Sequence, residues 1–236
     1  MKNKLSLITY TNLGYLEMTE NLILSAKKNA PGLKLEVFCI DNESKEILKN
    51  HNNVVIKDFE NVFLEESEFV DFKDKKFGLM MGYKYEMIYK SLLDNEFTLY
   101  IDGDIVIKRD FTEYMLNKIE NKDLLVQNDL NPKKPEKENL CAGFMFIRSN
   151  KKTLKFFNPK NVNMKRMSKL SHHDQTYLIK NRRKFNYLKL DLDLFPNGPH
   201  YFRYNDSLNP YIIHFNYLVG NHEKIDKMKE TNQWYV

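Results

Sequence analysis

Asp102 and Asp104 stand one glycine apart at the end of the apolar run 97–101. Strand geometry puts residues i and i+2 on one face, so both carboxylates can turn toward one ion, and Gly103 places no side chain between them. A bulky ligand could then approach the backbone. Ionised carboxylates withdrawn from water need a cation or strong hydrogen bonds. Carboxylate oxygens suit hard divalent ions such as Mn2+ or Mg2+, which keep open positions for substrate phosphates. The chemistry open to this pair is therefore the metal-assisted handling of a nucleotide or diphosphate.

The same residues allow other readings. A calcium loop would use Asp102, Asp104 and Glu113 but needs glycine where Ile107 stands. A phosphatase of the haloacid dehalogenase type has the pattern D-x-D-x-[TV], met by Asp102, Asp104 and Val106, and would form an aspartyl phosphate on Asp102. Such enzymes usually open on that strand and carry an acidic pair downstream. Here a long stretch of chain precedes it and no Asp-Asp dipeptide follows. A plain solvated turn, or a glycan-binding module without turnover, also fits two acids at this spacing.

Further residues are out of place for a purely structural role. Lys84 has Met80, Met81, Met87 and Ile88 at i−4, i−3, i+3 and i+4, so its stem lies in an apolar helical stripe. It must snorkel to water or find an anion, and the Asp102–Asp104 strand end could supply one. His214 closes the short apolar run 211–215, with Gly220 and Lys224 following. A lone histidine there is usually a satisfied core residue, but neutral imidazole is also a good third ligand beside two carboxylates. Gly220 and Lys224 could cradle a diphosphate through backbone N–H groups and one point charge. His172-His173-Asp174-Gln175 precedes a helical stretch that Asp174 could merely cap, or it could aim polar groups at a reaction centre.

These residues need a scaffold that brings them together. The first half alternates short β runs with helical stretches, which predicts a three-layer α/β fold with a mixed, mostly parallel sheet. Strands are expected at 5–10, 35–40, 54–56, 97–101, 124–127, 143–147 and 211–215. Helices are expected at 17–29, 44–50, 77–93 and 111–119, near 154 and 176, and after Gly220. An acidic, aromatic loop runs to Asp74, a polar loop holds Pro132 and Pro135, and an aromatic loop occupies 195–202. In open α/β sheets ligands bind beyond the carboxyl ends of strands. Thr9, Tyr10, Thr11, Asn12, Asp41 and the Asp102–Asp104 pair all fall at such ends. No G-x-G-x-x-G turn follows the first strand, and no P-loop is present.

With 236 residues, 42% of them hydrophobic, the chain can bury one good core. A single catalytic domain over 1–236 is expected, with a nucleotide-binding half to about residue 104 and a half from about 105 that completes the metal site and takes the acceptor. The net charge of +5 comes from dispersed lysines, which argues against a nucleic-acid surface and fits small anionic substrates. No run approaches the roughly 20 apolar residues that span a bilayer, which leaves peripheral membrane contact open. Two cysteines form no disulfide framework, so a cytoplasmic location is the simplest reading.

Asp102-Gly103-Asp104, Cys141-Ala142-Gly143-Phe144-Met145-Phe146-Ile147, His173-Asp174-Gln175, Phe195-Pro196-Asn197-Gly198 with Tyr201-Phe202, and His214-x-Asn216 with Gly220, Lys224 and Trp234 come in an order and spacing that resemble the nucleotide-diphospho-sugar transferases of glycosyltransferase family 77. The resemblance implies a glycosyltransferase-A fold and sugar transfer from a nucleotide-sugar donor with retention of anomeric configuration. It implies a divalent metal, usually Mn2+, held by Asp102, Asp104 and His214, with Lys84 and Lys224 serving the diphosphate. Gly103, Ala142, Gly143 and Asn216 would contact the nucleotide sugar, and Asp174 and Gln175 would face the reacting sugar. A uridine donor would meet Thr9, Tyr10, Thr11 and Asn12, with Asp41 near the ribose. The acceptor would be a glycan, lipid or protein hydroxyl.

Overall fold

The computed structural model describes residues 3–59, 68, 70, 76–134, 139–162 and 174–236. His173 and the acidic loop before Asp74 lie outside the described residues. Strands β1 (Asn3–Thr11), β2 (Leu35–Cys39), β3 (Val54–Asp58), β4 (Asn95–Ile101), β6 (Leu124–Asn128), β7 (Leu140–Arg148) and β8 (Tyr187–Lys189) form one sheet in the order β3-β2-β1-β4-β7-β6-β8. Only β7 runs against the others. A second sheet pairs β5 (Ile105–Ile107) antiparallel with β9 (Ile212–His214).

Alternation along the strands builds two apolar layers. Leu7, Phe97, Leu99, Phe144 and Phe146 face α1 (Leu16–Asn29), α2 (Asn42–Leu48) and α4 (Thr112–Lys118). Ile8, Tyr100, Met145 and Ile147 face α3 (Phe77–Asp94), α5 (Lys151–Phe157) and α6 (Asp174–Asn181). This period-2 division is what a sheet buried on both faces requires. Val106 and Ile213 of the small sheet pack in a third cluster with Tyr201 of α7 (Gly198–Tyr204) and Met228 of α8 (Asn221–Glu230).

Four elements differ from the sequence reading. The expected aromatic loop at 195–202 is partly helical, because the Asn197 side chain accepts from His200 N–H at 3.1 Å and Pro199 stands in the first turn, both helix-start devices. The three-residue strands β5 and β8 escape a periodicity test, since neither is long enough to show one. Strand β7 begins at Leu140, three residues before the expected start. Among the described residues, no helix is long and apolar enough to cross a membrane.

Candidate active site

The short strands bring the two ends of the constellation together. β4 ends at Ile101, the chain turns through Gly103, and β5 restarts at Ile105, which pairs with His214. Asp104 therefore lies one residue from the register partner of His214, although 109 positions separate them in sequence. Phe215 N–H donates to the Asp104 carbonyl at 3.0 Å and Asp102 N–H donates to the Gly143 carbonyl at 2.8 Å, locking both flanks. One ligand atom from each of Asp102, Asp104 and His214 lies within 4.8 Å of the others.

Each side chain is oriented by partners. The Tyr100 hydroxyl donates to Asp102 Oδ1, and Lys84 Nζ stands 3.4 Å from the same oxygen. Asp102 Oδ2 is turned toward Gly143, where an added Cβ would collide with it and would lie 2.6 Å from His214 Cε1. The glycine thus keeps open the concavity that the three ligands share. Gly103 lines the cleft and also has a packing role. A Cβ there would stand 3.0 Å from Thr19 Oγ1, so the absent side chain lets α1 pack closely.

Asp104 is 6% exposed, with His214 Nε2 3.1 Å from Oδ1 and Lys224 Nζ 2.6 Å from Oδ2. Burial would raise its pKa, but the Lys224 and His214 charges hold it well below the usual carboxylate range. Burial would likewise lower His214, and the Asp104 carboxylate outweighs this and holds it well above 6.5. Lys84 does not snorkel. Its ammonium is 3% exposed, 2.5 Å from Asp174 Oδ2 and 3.1 Å from the Ala142 carbonyl. Desolvation disfavours its charge, yet Asp102 and Asp174 raise its pKa above the ordinary lysine value. The two lysines each pair with one of the metal-site aspartates.

All of this lines a cleft of about 500 Å3 that also includes Tyr10, Gly103, Ala142, Gln175 and Asn216, a volume within the range of small-ligand sites. The ligand set of two carboxylates and one imidazole, with a cradle that a single Cβ would fill, fits a hard or borderline divalent ion.

Some expected contacts are placed elsewhere. Thr9, Thr11 and Asn12 are buried and are not among its lining residues. Thr11 Oγ1 donates to the Asn12 carbonyl and accepts from Thr19 Oγ1, and Asn12 Nδ2 donates to the Glu68 carbonyl. Asp41 accepts from Ser44 N–H and Leu13 N–H, both at 2.7 Å, so its carboxylate caps α2 and fastens the loop after β1. Gly220 is the N-cap of α8 and also lies outside the lining set.

Sequence reasoning missed Asp129. This carboxylate is 2% exposed and accepts from Gln175 Nε2 at 2.9 Å, Asn139 Nδ2 at 2.7 Å, Asn216 Nδ2 at 3.0 Å and the Tyr217 hydroxyl at 3.2 Å. It gathers one wall of the cleft. Its neighbour in sequence terms, Gln127, is fully buried and 2.7 Å from His214 Nδ1. The polar pair Gln127 and Asn128, following the apolar run 124–126 in one strand, was the available signal.

Comparison with known proteins gives the family and the fold. The family described as nucleotide-diphospho-sugar transferase matches residues 34–228. A UDP-galactose:fucoside alpha-3-galactosyltransferase of Dictyostelium discoideum is 33% identical over 175 residues, which cover 58% of this chain and 25% of that protein. The chain thus aligns with about a quarter of that relative's length. The galactosyltransferase LgtC, solved with donor and acceptor sugar analogues, superposes with a TM-score of 0.59 at 12% identity over 89% of this chain and 87% of its own. The bifunctional glycosyltransferase WbbM gives 0.60 at 12% identity, covering 100% of this chain and 52% of that one. With a family match over most of its length and the architecture those structures share, the chain belongs to the nucleotide-diphospho-sugar transferase family and has the glycosyltransferase-A fold.

Proposed function

We propose that this chain is a metal-dependent glycosyltransferase that moves a hexose from a UDP-sugar to a hydroxyl of a glycan, lipid or protein, with retention of configuration. The observation that carries the reading is the convergence of Asp102, Asp104 and His214 in one cleft, flanked by two lysines that each pair with one of those aspartates. UDP as the carrier is supported by the donor named for the Dictyostelium relative. Retention is supported by that relative's alpha-3 linkage, since the sugar of UDP-galactose is itself α-linked.

Asp102, Asp104 and His214 would hold the ion, Mn2+ or Mg2+, which when bound supplies Lewis-acid stabilisation of the diphosphate leaving group. Lys224, 2.6 Å from Asp104, and Lys84, between Asp102 and Asp174, provide fixed positive charge where negative charge grows on the departing β-phosphate. Asp174 is 8% exposed and lines the cleft, so its carboxylate can stabilise oxocarbenium character at the anomeric carbon without attacking it. Gln175 is held from behind by Asp129, which fixes the carboxamide facing the sugar. The acceptor hydroxyl attacks from the face the leaving group departs. The new C–O bond forms as the sugar–phosphate bond breaks, and the hydroxyl proton passes to the released β-phosphate oxygen. Tyr10, the one cleft-lining residue of the 9–12 segment, offers a ring to the base.

Hydrolysis of UDP-sugars with and without Mn2+ tests the reading. A transferase releases UDP in a metal-dependent way, faster with an acceptor. Release of inorganic phosphate from simple phosphate esters, or glycan binding without turnover, would replace it with the phosphatase or binding-module alternative.

A further inference from the structure

Gln127 has no place in the chemistry above, yet every polar atom of its carboxamide is committed. It sits on β6 where the register against β7 shifts between Val126 and Gln127, an irregularity that re-aims a side chain. Its Nε2 donates to two carbonyls, Phe195 at 3.1 Å and Pro196 at 3.0 Å. Those two acceptors fix which end of the amide is nitrogen. Its Oε1 is therefore the atom 2.7 Å from His214 Nδ1. A carboxamide oxygen can only accept, so Nδ1 must carry a hydrogen. The other atom near Nδ1 is Cys141 Sγ at 3.6 Å, which already receives the Gly143 N–H at 3.4 Å. The backbone N–H of His214 donates to the same Pro196 carbonyl at 3.2 Å, closing a loop of bonds around the ring.

We propose that Gln127 is a positioning residue that pins the proton of His214 to Nδ1, so that Nε2 is the nitrogen presented to Asp104 and to a divalent ion. A ligating histidine needs its lone pair on the metal side, and a fixed acceptor behind the ring supplies the correct tautomer without reorganisation. The inference rests on the proposed role of His214 as a metal ligand, but its first test does not.

In the metal-free chain Asp104 accepts from Nε2 as Gln127 accepts from Nδ1, so the ring carries both protons, and long-range 1H–15N correlation spectra report the Nδ1 proton directly. A slowly exchanging, hydrogen-bonded Nδ1–H is expected in the parent chain and should be lost in Gln127→Met; an Nδ1 without a hydrogen in the parent, or an Nδ1–H unchanged in Gln127→Met, would overturn the proposal. The second test compares Mn2+ affinity, read from the free-ion EPR signal, in Gln127→Met and Gln127→Glu. Methionine keeps the volume but accepts nothing from Nδ1, and affinity should fall about 10- to 100-fold, the usual effect of losing such a partner. Glutamate as a carboxylate still accepts from Nδ1–H but cannot donate to the Phe195 and Pro196 carbonyls, so it should recover most of the affinity. If both variants lose affinity equally, the residue only braces the 195–196 loop and the proposal fails. A parent chain that shows Nδ1–H but binds no Mn2+ would overturn the metal reading while leaving the tautomer assignment standing.

Discussion

Replacing Gly143 by alanine adds one methyl group at the point where the three ligand side chains converge. A Cβ at this position lies 2.6 Å from His214 Cε1 and 3.0 Å from Asp102 Cγ, and closer still to Asp102 Oδ2. Unstrained carbon contacts sit at about 3.5–4.0 Å, so the ring or the carboxylate must move by about 1 Å. The backbone cannot retreat easily, because the Gly143 carbonyl accepts from Asp102 N–H in the β4–β7 ladder. Gln127 behind the ring leaves His214 no room either, so Asp102, whose side chain is 33% exposed, swings outward. Overpacking of this kind costs about 1–3 kcal/mol, a fraction of the roughly 5–15 kcal/mol that holds a domain together. Melting should fall by a few degrees, at about 2–4 °C per kcal/mol. A misplacement of about 1 Å at a reacting centre costs on the order of 100-fold in rate. The assay is UDP release from UDP-sugar at saturating Mn2+, beside a thermal melt of the same preparation. A folded variant with turnover and Mn2+ affinity equal to the parent would refute the reasoning, since it would mean that Asp102 and His214 need not stay where they are.

Asp104→Asn keeps the shape but removes the charge shared by His214 and Lys224, and turnover should drop by at least about 100-fold, the scale of losing a main transition-state stabiliser. Lys84→Met strands Asp174 in the interior and takes a partner from the partly exposed Asp102, and urea unfolding should show a loss of about 3–5 kcal/mol; under 1 kcal/mol would mean that the lysine does not compensate Asp174. In the metal-free chain the raised pKa of His214 gives a stabilisation that is complete below about pH 6.5 and disappears as pH rises through the folded value. Mn2+ must displace the Nε2 proton, so titrations in buffers of different ionisation enthalpy should show proton release and an affinity that climbs from about pH 6.5 upward. An affinity independent of pH there would contradict the assignment of His214.

Residues whose environment is local were legible in the sequence. Asp102 and Asp104 are marked by an apolar strand that ends on them, and Lys84 by a helical stripe with methionines and isoleucine on either side. His214 could be suspected but not placed, because its meeting with Asp104 depends on pairing between two strands of three residues each. The sequence reading puts Asp41 near a ribose because it stands at a strand end, whereas in the structure its carboxylate accepts from Ser44 N–H and caps α2. Asp129 was not readable, since its partners Asn139, Gln175 and the adjacent Asn216 and Tyr217 come from three separate segments. Thr9, Thr11 and Asn12 do stand at or just past a strand end, but all three are buried and none lines the cleft, which position along the strand alone does not tell.

The central claim is that Asp102, Asp104 and His214 together hold a divalent ion that grips a nucleoside diphosphate. Calorimetric titration of UDP into the chain with Mn2+ and then with EDTA, with bound Mn2+ counted by EPR, tests it most directly. The account expects a single Mn2+ per chain, UDP binding that collapses in EDTA, and loss of both in Asp104→Asn. UDP binding that is as tight in chelator as in Mn2+ would contradict it.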